Sequence, residues 1–183
     1  MVNKLKKYSI IYADPPWCYD ASDFLAEKSL ITKNRNTQYA TMDFEDLKAL
    51  PVQNIAEKDC LLFMRTTSAF VYGAIEVGMT WGFKFSVVGF VWDKQAINPG
   101  NYTLSNCEFV LIFKKGKIPT PRGLRNVRAM ISEKRKKHSA KPAEVRNRIV
   151  QMFPSSSRIE LFAREKVKGW DSWGNEIISD IVL

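Results

Sequence analysis

The sequence has one histidine and three cysteines, and Cys18, Cys60 and Cys107 form no CxxC pair. With so few soft ligands, and His138 alone to supply an imidazole, no metal site is expected. An odd cysteine count without a regular framework excludes a disulfide scaffold and fits a reducing compartment. No apolar run approaches the ~20 residues that a membrane-spanning helix needs. The apolar run behind Lys4, Lys6 and Lys7 is Tyr8 to Ala13, too short for a secretory core and stopped by Asp14-Pro15. A cytoplasmic protein with no membrane contact is expected. Internal repeats and low-complexity tracts are also lacking. The 183 residues, 45% apolar and 26% charged, therefore suit a single domain over 1–183 that builds one core without staples.

Acidic residues are scarce in one place. Residues 114–148 hold thirteen Lys or Arg against Glu133 and Glu144, a net of +11 in a chain of net +9, which leaves −2 for the rest. Such a concentration reads as a phosphate-contacting surface and nucleic acid as the partner, with a solvated, solubilising loop as the alternative.

Apolar runs alternate with helical patterns. Tyr8 to Ala13 (YSIIYA), Cys60 to Arg65 (CLLFMR), Lys84 to Trp92, Glu108 to Phe113 and Arg158 to Ala163 (RIELFA) read as strands. Asp43 to Leu50 reads as a short helix stopped by Pro51. Thr67 to Met79 carries Phe70, Val71, Ala74 and Ile75 at helical spacing, and Pro142 suits the first turn of a helix to about Met152. Strands that are apolar on both faces, joined by helices or long crossovers, indicate an α/β fold: a mainly parallel sheet with helices on both faces. Ligands bind beyond the carboxyl ends of such strands. Asp14, the stretch from Glu160 to Arg164 and the loop after Phe113 are expected there. Two long loops, roughly 15–38 and 114–140, are expected to close over substrate.

Asp14-Pro15-Pro16-Trp17, directly after the first strand, is a specific constellation. The exocyclic amine of a nucleobase is a poor nucleophile because its lone pair is delocalised into the ring. Accepting hydrogen bonds from both N–H groups steers the nitrogen towards tetrahedral geometry. Asp14 supplies a carboxylate and Pro15 a carbonyl, while neither proline has an N–H to compete. Trp17 offers a face on which a flat base can stack. An aspartate is a weak base at neutral pH, so acceptance and stabilisation of a developing cation suit Asp14 better than strong proton abstraction.

These residues resemble the signature of the mRNA adenosine-N6-methyltransferase-like (MT-A type) family, Tyr12-Ala13-Asp14-Pro15-Pro16-Trp17. Further elements follow in the family order across residues 8 to 176. They are Tyr39-Ala40-Thr41-Met42, Asn106-Cys107-Glu108 with Lys115-Gly116, His138-Ser139-Ala140-Lys141-Pro142, the run Arg158 to Arg164, Gly169-Trp170 and Trp173-Gly174-Asn175-Glu176. The resemblance implies a Rossmann-like, S-adenosylmethionine-dependent methyltransferase fold in permuted order, with the catalytic motif first and the cofactor strand last. That order accounts for the missing GxGxxG near the N-terminus.

The resemblance also assigns residues. Asp14, Pro15, Pro16 and Trp17 are catalytic. Asp14, Lys141, Glu160, Phe162, Arg164, Asn175 and Glu176 fall to the cofactor, with Lys141 on its carboxylate, a charge-assisted pair. Trp17, Tyr39, Glu108, His138 and Ser139 fall to the substrate. An unpaired carboxylate at Glu160 would be costly within its apolar strand, so either a polar cofactor group or a structural ion pair must relieve it. Family members often carry an acidic residue before the first strand, and Met1 to Lys7 hold none, so recognition of the cofactor's adenine differs or falls to Asn175 and backbone groups. No appendage for reading target sequence is evident, so specificity is low and local or a second copy or partner subunit assists. The implied activity is methylation of the N6 amine of adenine, with DNA preferred over RNA. Cytosine N4 is the alternative amine, ranked lower because Trp17 stands where many other amino-methyltransferases have Tyr or Phe, and a non-catalytic nucleic-acid-binding subunit is the alternative class.

Overall fold

The computed structural model describes residues 6–18, 41–99, 102–135 and 141–183. Its centre is β1 (Tyr8–Ala13), whose apolar residues are at most 2% exposed. Side chains alternate across a strand, so Ile11 and Ala13 enter one core and Ile10 and Tyr12 the other. The first core packs α1 (Phe44–Ala49) and α2 (Val71–Thr80) on the sheet through Leu47, Ala74, Val77 and Trp81. The second packs α3 (Glu144–Met152) through Val145, Ile149 and Phe153. Helices thus cover both faces, which is why β1 beyond Ser9 is apolar on both sides rather than alternating.

Seven strands form one sheet in the order β5-β3-β4-β2-β1-β6-β7. Besides β1 they are β2 (Ala56–Thr66), β3 (Lys84–Asn98), β4 (Ser105–Lys115), β5 (Met130–Ser132), β6 (Arg158–Leu161) and β7 (Asp171–Trp173). Pairings β1–β2, β1–β6, β6–β7 and β3–β5 are parallel, and β4 is antiparallel to both β2 and β3. Six strands therefore share a direction and β4 alone is reversed. This agrees with a mainly parallel sheet but corrects one placement. The loop after Phe113 does not reach the carboxyl edge, because Lys115 pairs with Cys60 near the start of β2 and the Lys117 amide donates to Asp59. Reversal brings the beginning of β4, with Glu108, to that edge instead.

Local chemistry fixes the element ends. The Asp43 side chain caps α1 by accepting from the Asp46 amide at 2.8 Å. The helix expected from Thr67 begins as a 3₁₀ turn, Ser68–Phe70, before α2. Pro142 stands just ahead of α3 rather than inside it. The third expected strand runs past Trp92 to Asn98, because its polar second half still pairs with β4. The stretch 114–140 is not simply a loop, since β5 lies within it, and its residues from 136 on fall outside the described residues, as does most of the stretch 15–38.

Candidate active site

Asp14 follows β1 at the sheet's carboxyl edge, with its side chain 20% exposed. The chain then folds tightly: the Trp17 amide donates to the Pro15 carbonyl at 2.9 Å, and the Met42 amide to the Pro16 carbonyl at 3.0 Å. A carbonyl oxygen has two acceptor positions, so the Pro15 oxygen keeps one for another donor. Trp17 anchors the turn. Its indole Nε1 donates to the Arg65 carbonyl at 3.2 Å, and its ring lies 6.0 Å from Phe70 and 5.6 Å from Phe44. At 7% exposure it has little face to offer a base, so the stacking expected of Trp17 gives way to packing beneath the motif.

Around Asp14 stands a network of charges. Lys141 Nζ is 3.5 Å from Asp14 Oδ1 and 3.2 Å from Glu108 Oε2. Glu108 also meets Arg65 Nη1 at 3.3 Å and Lys94 Nζ at 3.8 Å. Arg65 is 1% exposed, donates from Nε to the Tyr12 hydroxyl at 2.6 Å, and lies over the Trp92 ring at 5.2 Å. Burial disfavours the Arg65 cation, but Tyr12, Asp14 and Glu108 outweigh it and hold its pKa above the ordinary value. Burial likewise pushes the Tyr12 hydroxyl above the usual phenol range, so it stays neutral. Arg65 and Lys94 lie outside every sequence motif. The available signal was a charge closing the apolar run Cys60 to Met64, a position that demands buried partners.

The carboxyl ends of β6 and β7 lie side by side. Phe162 takes a left-handed φ of 61° immediately after β6, a strained conformation that concentrates at functional sites. Its ring meets Trp173 edge-on at 5.4 Å. Gly174 packs on the Ala163 backbone so closely that any Cβ would collide with the Ala163 carbonyl. That approach brings Arg164 Nε within 3.5 Å of Glu176 and leaves Asn175 exposed beside them. Of the expected cofactor residues, Phe162, Arg164, Asn175 and Glu176 thus form one group, and Asp14 with Lys141 a second. Glu160 belongs to neither pair of contacts. It is 8% exposed and accepts from Arg146 of α3 at 2.9 Å, the structural ion pair among the two readings of this residue. Burial still raises its carboxyl above the ordinary range, with Arg146 opposing. Tyr39, His138 and Ser139 lie outside the described residues. Among the described residues, no group of three or more His, Cys, Asp or Glu could hold a metal ion.

The arrangement can hold a zwitterion and an amine together: a cation at Lys141, hydrogen-bonding side chains at Arg164 and Glu176, and the acceptors of Asp14 and Pro15 between them. The MT-A70 family model matches residues 8–176. The chain belongs to the MT-A70 family. It is a methyltransferase, and MT-A70 methyltransferases are generally S-adenosylmethionine-dependent. This MT-A70 chain is 48% identical to the Type II methyltransferase M.MunI of Mycoplasma sp, a match covering 94% of this chain and 78% of the relative. It is 27% identical to the N(6)-adenine-specific methyltransferase METTL4 of Mus musculus, over 97% of this chain and 39% of that protein. A putative N(6)-adenosine-methyltransferase MT-A70-like protein of Medicago truncatula is 28% identical over 94% of this chain and 27% of its own length.

Proposed function

We propose that this chain transfers a methyl group from S-adenosylmethionine to the N6 amine of adenine, in DNA in preference to RNA. The observation that carries the reading is the tip of β1, where the backbone of two prolines offers acceptors and no donor. The Asp14 carboxylate and the free acceptor position of the Pro15 oxygen stand together at the sheet's carboxyl edge, with no N–H on Pro15 or Pro16.

Asp14 and the Pro15 carbonyl accept the two N–H bonds of the amine, which frees its lone pair. Asp14 then stabilises the positive charge that the nitrogen gains, and the proton leaves to solvent afterwards. Removing one such preorganised acceptor is worth roughly 10²–10³ in rate. The residues present fit the cofactor's polar groups. Lys141 would hold its carboxylate, Arg164 and Glu176 its ribose side, and Asn175 its adenine, while the strained Phe162 backbone shapes the floor between them. When bound, the cofactor supplies a methyl group activated by a sulfonium. The sequence match to a Type II methyltransferase supports DNA as the substrate. Phosphates would meet the basic residues of the carboxyl edge, Lys134 and Arg135, whose backbone joins Lys94 through the Arg135 amide at 3.0 Å. Among the described residues no helix is long and apolar enough to cross a membrane.

The test is incubation with methyl-labelled cofactor and either DNA or RNA, followed by digestion to nucleosides. Label in N6-methyl-2′-deoxyadenosine is expected. Label from RNA alone reverses the substrate preference, and label solely in N4-methylcytosine overturns the adenine assignment.

A further inference from the structure

Arg65 is a buried cation that neither the motif chemistry nor the family match accounts for. It is 1% exposed at the carboxyl end of β2, yet it meets Tyr12, Trp17 and Glu108, which lie on three different segments. Its carbonyl receives the Trp17 indole, its Nε donates to Tyr12, and its Nη1 reaches Glu108. A buried guanidinium is costly unless paired, and among the described residues the carboxylate in direct contact with it is Glu108. The pairing is partial, because Arg65 Nη2 is buried without a hydrogen-bond partner. A residue kept at that expense, when an apolar side chain would pack in a strand otherwise reading CLLFM, is placed for something other than stability.

What Arg65 fixes is Glu108. The same oxygen, Oε2, that accepts from Arg65 at 3.3 Å accepts from Lys141 at 3.2 Å, so the two cations share one atom. Among the described residues, the other carboxylate close to Lys141 is Asp14, at 3.5 Å. Of these two carboxylates Glu108 is the nearer and the one hydrogen-bonded to the Lys141 ammonium, so the aim comes from Glu108. Released from Arg65, the Glu108 carboxylate could swing towards the nearly buried Lys94, whose ammonium stands 3.8 Å from Oε1. Lys141 would then be left to Asp14 alone.

We propose that Arg65 is a positioning residue that acts through Glu108 to hold Lys141 where it receives the carboxylate of the cofactor. This rests on the methyltransferase reading above and names a part of that site which the sequence motifs do not contain. Arg65 touches neither substrate nor cofactor in this account. Its effect is relayed entirely by Glu108, and that makes the claim measurable.

The experiment is a double-mutant cycle on the binding of S-adenosylhomocysteine, which carries the carboxylate but no transferable methyl, measured by calorimetry on the full chain. Arg65→Met and Glu108→Gln are each expected to weaken binding about tenfold, and the double variant no more than either single one, because residues acting in series do not add. Arg65→Lys, which keeps the charge but not the fork, should recover part of the affinity. If Arg65→Met weakens binding equally in the native and Glu108→Gln backgrounds, Arg65 is merely structural and the proposal is overturned. Should Arg65→Met fail to fold, the same cycle run with Arg65→Lys decides by the same criterion. Wild-type protein that binds no S-adenosylhomocysteine would instead overturn the cofactor reading itself, so the two failures are distinguishable.

Discussion

Asp14 and Trp17 stand three residues apart and carry opposite loads. Asp14 lies beyond the strand with a fifth of its side chain exposed, whereas Trp17 is wedged between Phe44, Phe70 and the end of β2. Asp14→Ala should therefore lower kcat by roughly 10²–10³ while its thermal melt stays close to wild type. Trp17→Ala should lose stability first, on the order of 3–5 kcal/mol for an aromatic removed from a core, as read by urea unfolding. A Trp17→Ala variant with wild-type stability would show that the ring is not the anchor described here. Glu160 offers a pH test. Burial raises its folded-state pKa, so the folded protein holds that proton more tightly than the unfolded chain. The stability it contributes is full below the ordinary carboxylate range and is lost as pH rises through the raised value. Replacing it by Gln should flatten the unfolding midpoint against pH over that window, with Arg146 keeping Glu165 as a partner; an unchanged profile would contradict the assignment. At this scale the sequence displayed the acceptors and hid the scaffold. Asp14-Pro15-Pro16 is local chemistry. Arg65, Lys94 and Glu108 become one cluster only through pairing between strands.

Among elements, the approach of β6 and β7 makes the side proposed for the cofactor. Gly174 is required there for closeness rather than for an unusual φ, since a Cβ would strike the Ala163 backbone. Gly174→Ala should push the strand ends apart, costing about 1–3 kcal/mol as overpacking does, and should weaken S-adenosylhomocysteine binding in parallel. Normal affinity in that variant would separate Asn175 and Glu176 from the cofactor. Strand β1 and the second half of β2 were legible because burial on both faces leaves a continuous apolar run, Cys60 to Met64 in β2. Strands β5 and β7 were not, because three residues are too few to show a period. The reversal of β4 is invisible in composition: a two-faced apolar strand reads the same in either direction. It decides nonetheless that Glu108, and not Lys115, arrives at the site.

For the molecule as a whole, that reversal divides the basic segment. Lys114 and Lys115 line an open groove of about 340 Å³ with Lys84 at the amino edge, opposite Asp14, while Lys134 and Arg135 follow β5 to the catalytic edge. Arg146 and Arg148 are committed to internal partners, Glu160 and Glu165 for the first, Glu144 and two carbonyls for the second. One charge run thus serves several purposes, and only part of it can meet a substrate docked at Asp14. Neutralising Lys134 and Arg135 should lower DNA affinity and reduce the salt slope by about one per lost phosphate contact. Neutralising Lys114 and Lys115 should change neither. The reverse pattern would move the nucleic-acid surface to the amino edge.

The most direct measurement is a crystal structure of the protein with S-adenosylhomocysteine. The sulfur is expected beside the Asp14-Pro15 turn, the carboxylate on Lys141, and the ribose between Arg164 and Glu176. Ligand bound instead in the amino-edge groove of about 510 Å³ between Ser9, Asp59 and Ser157, remote from Asp14, would contradict that placement.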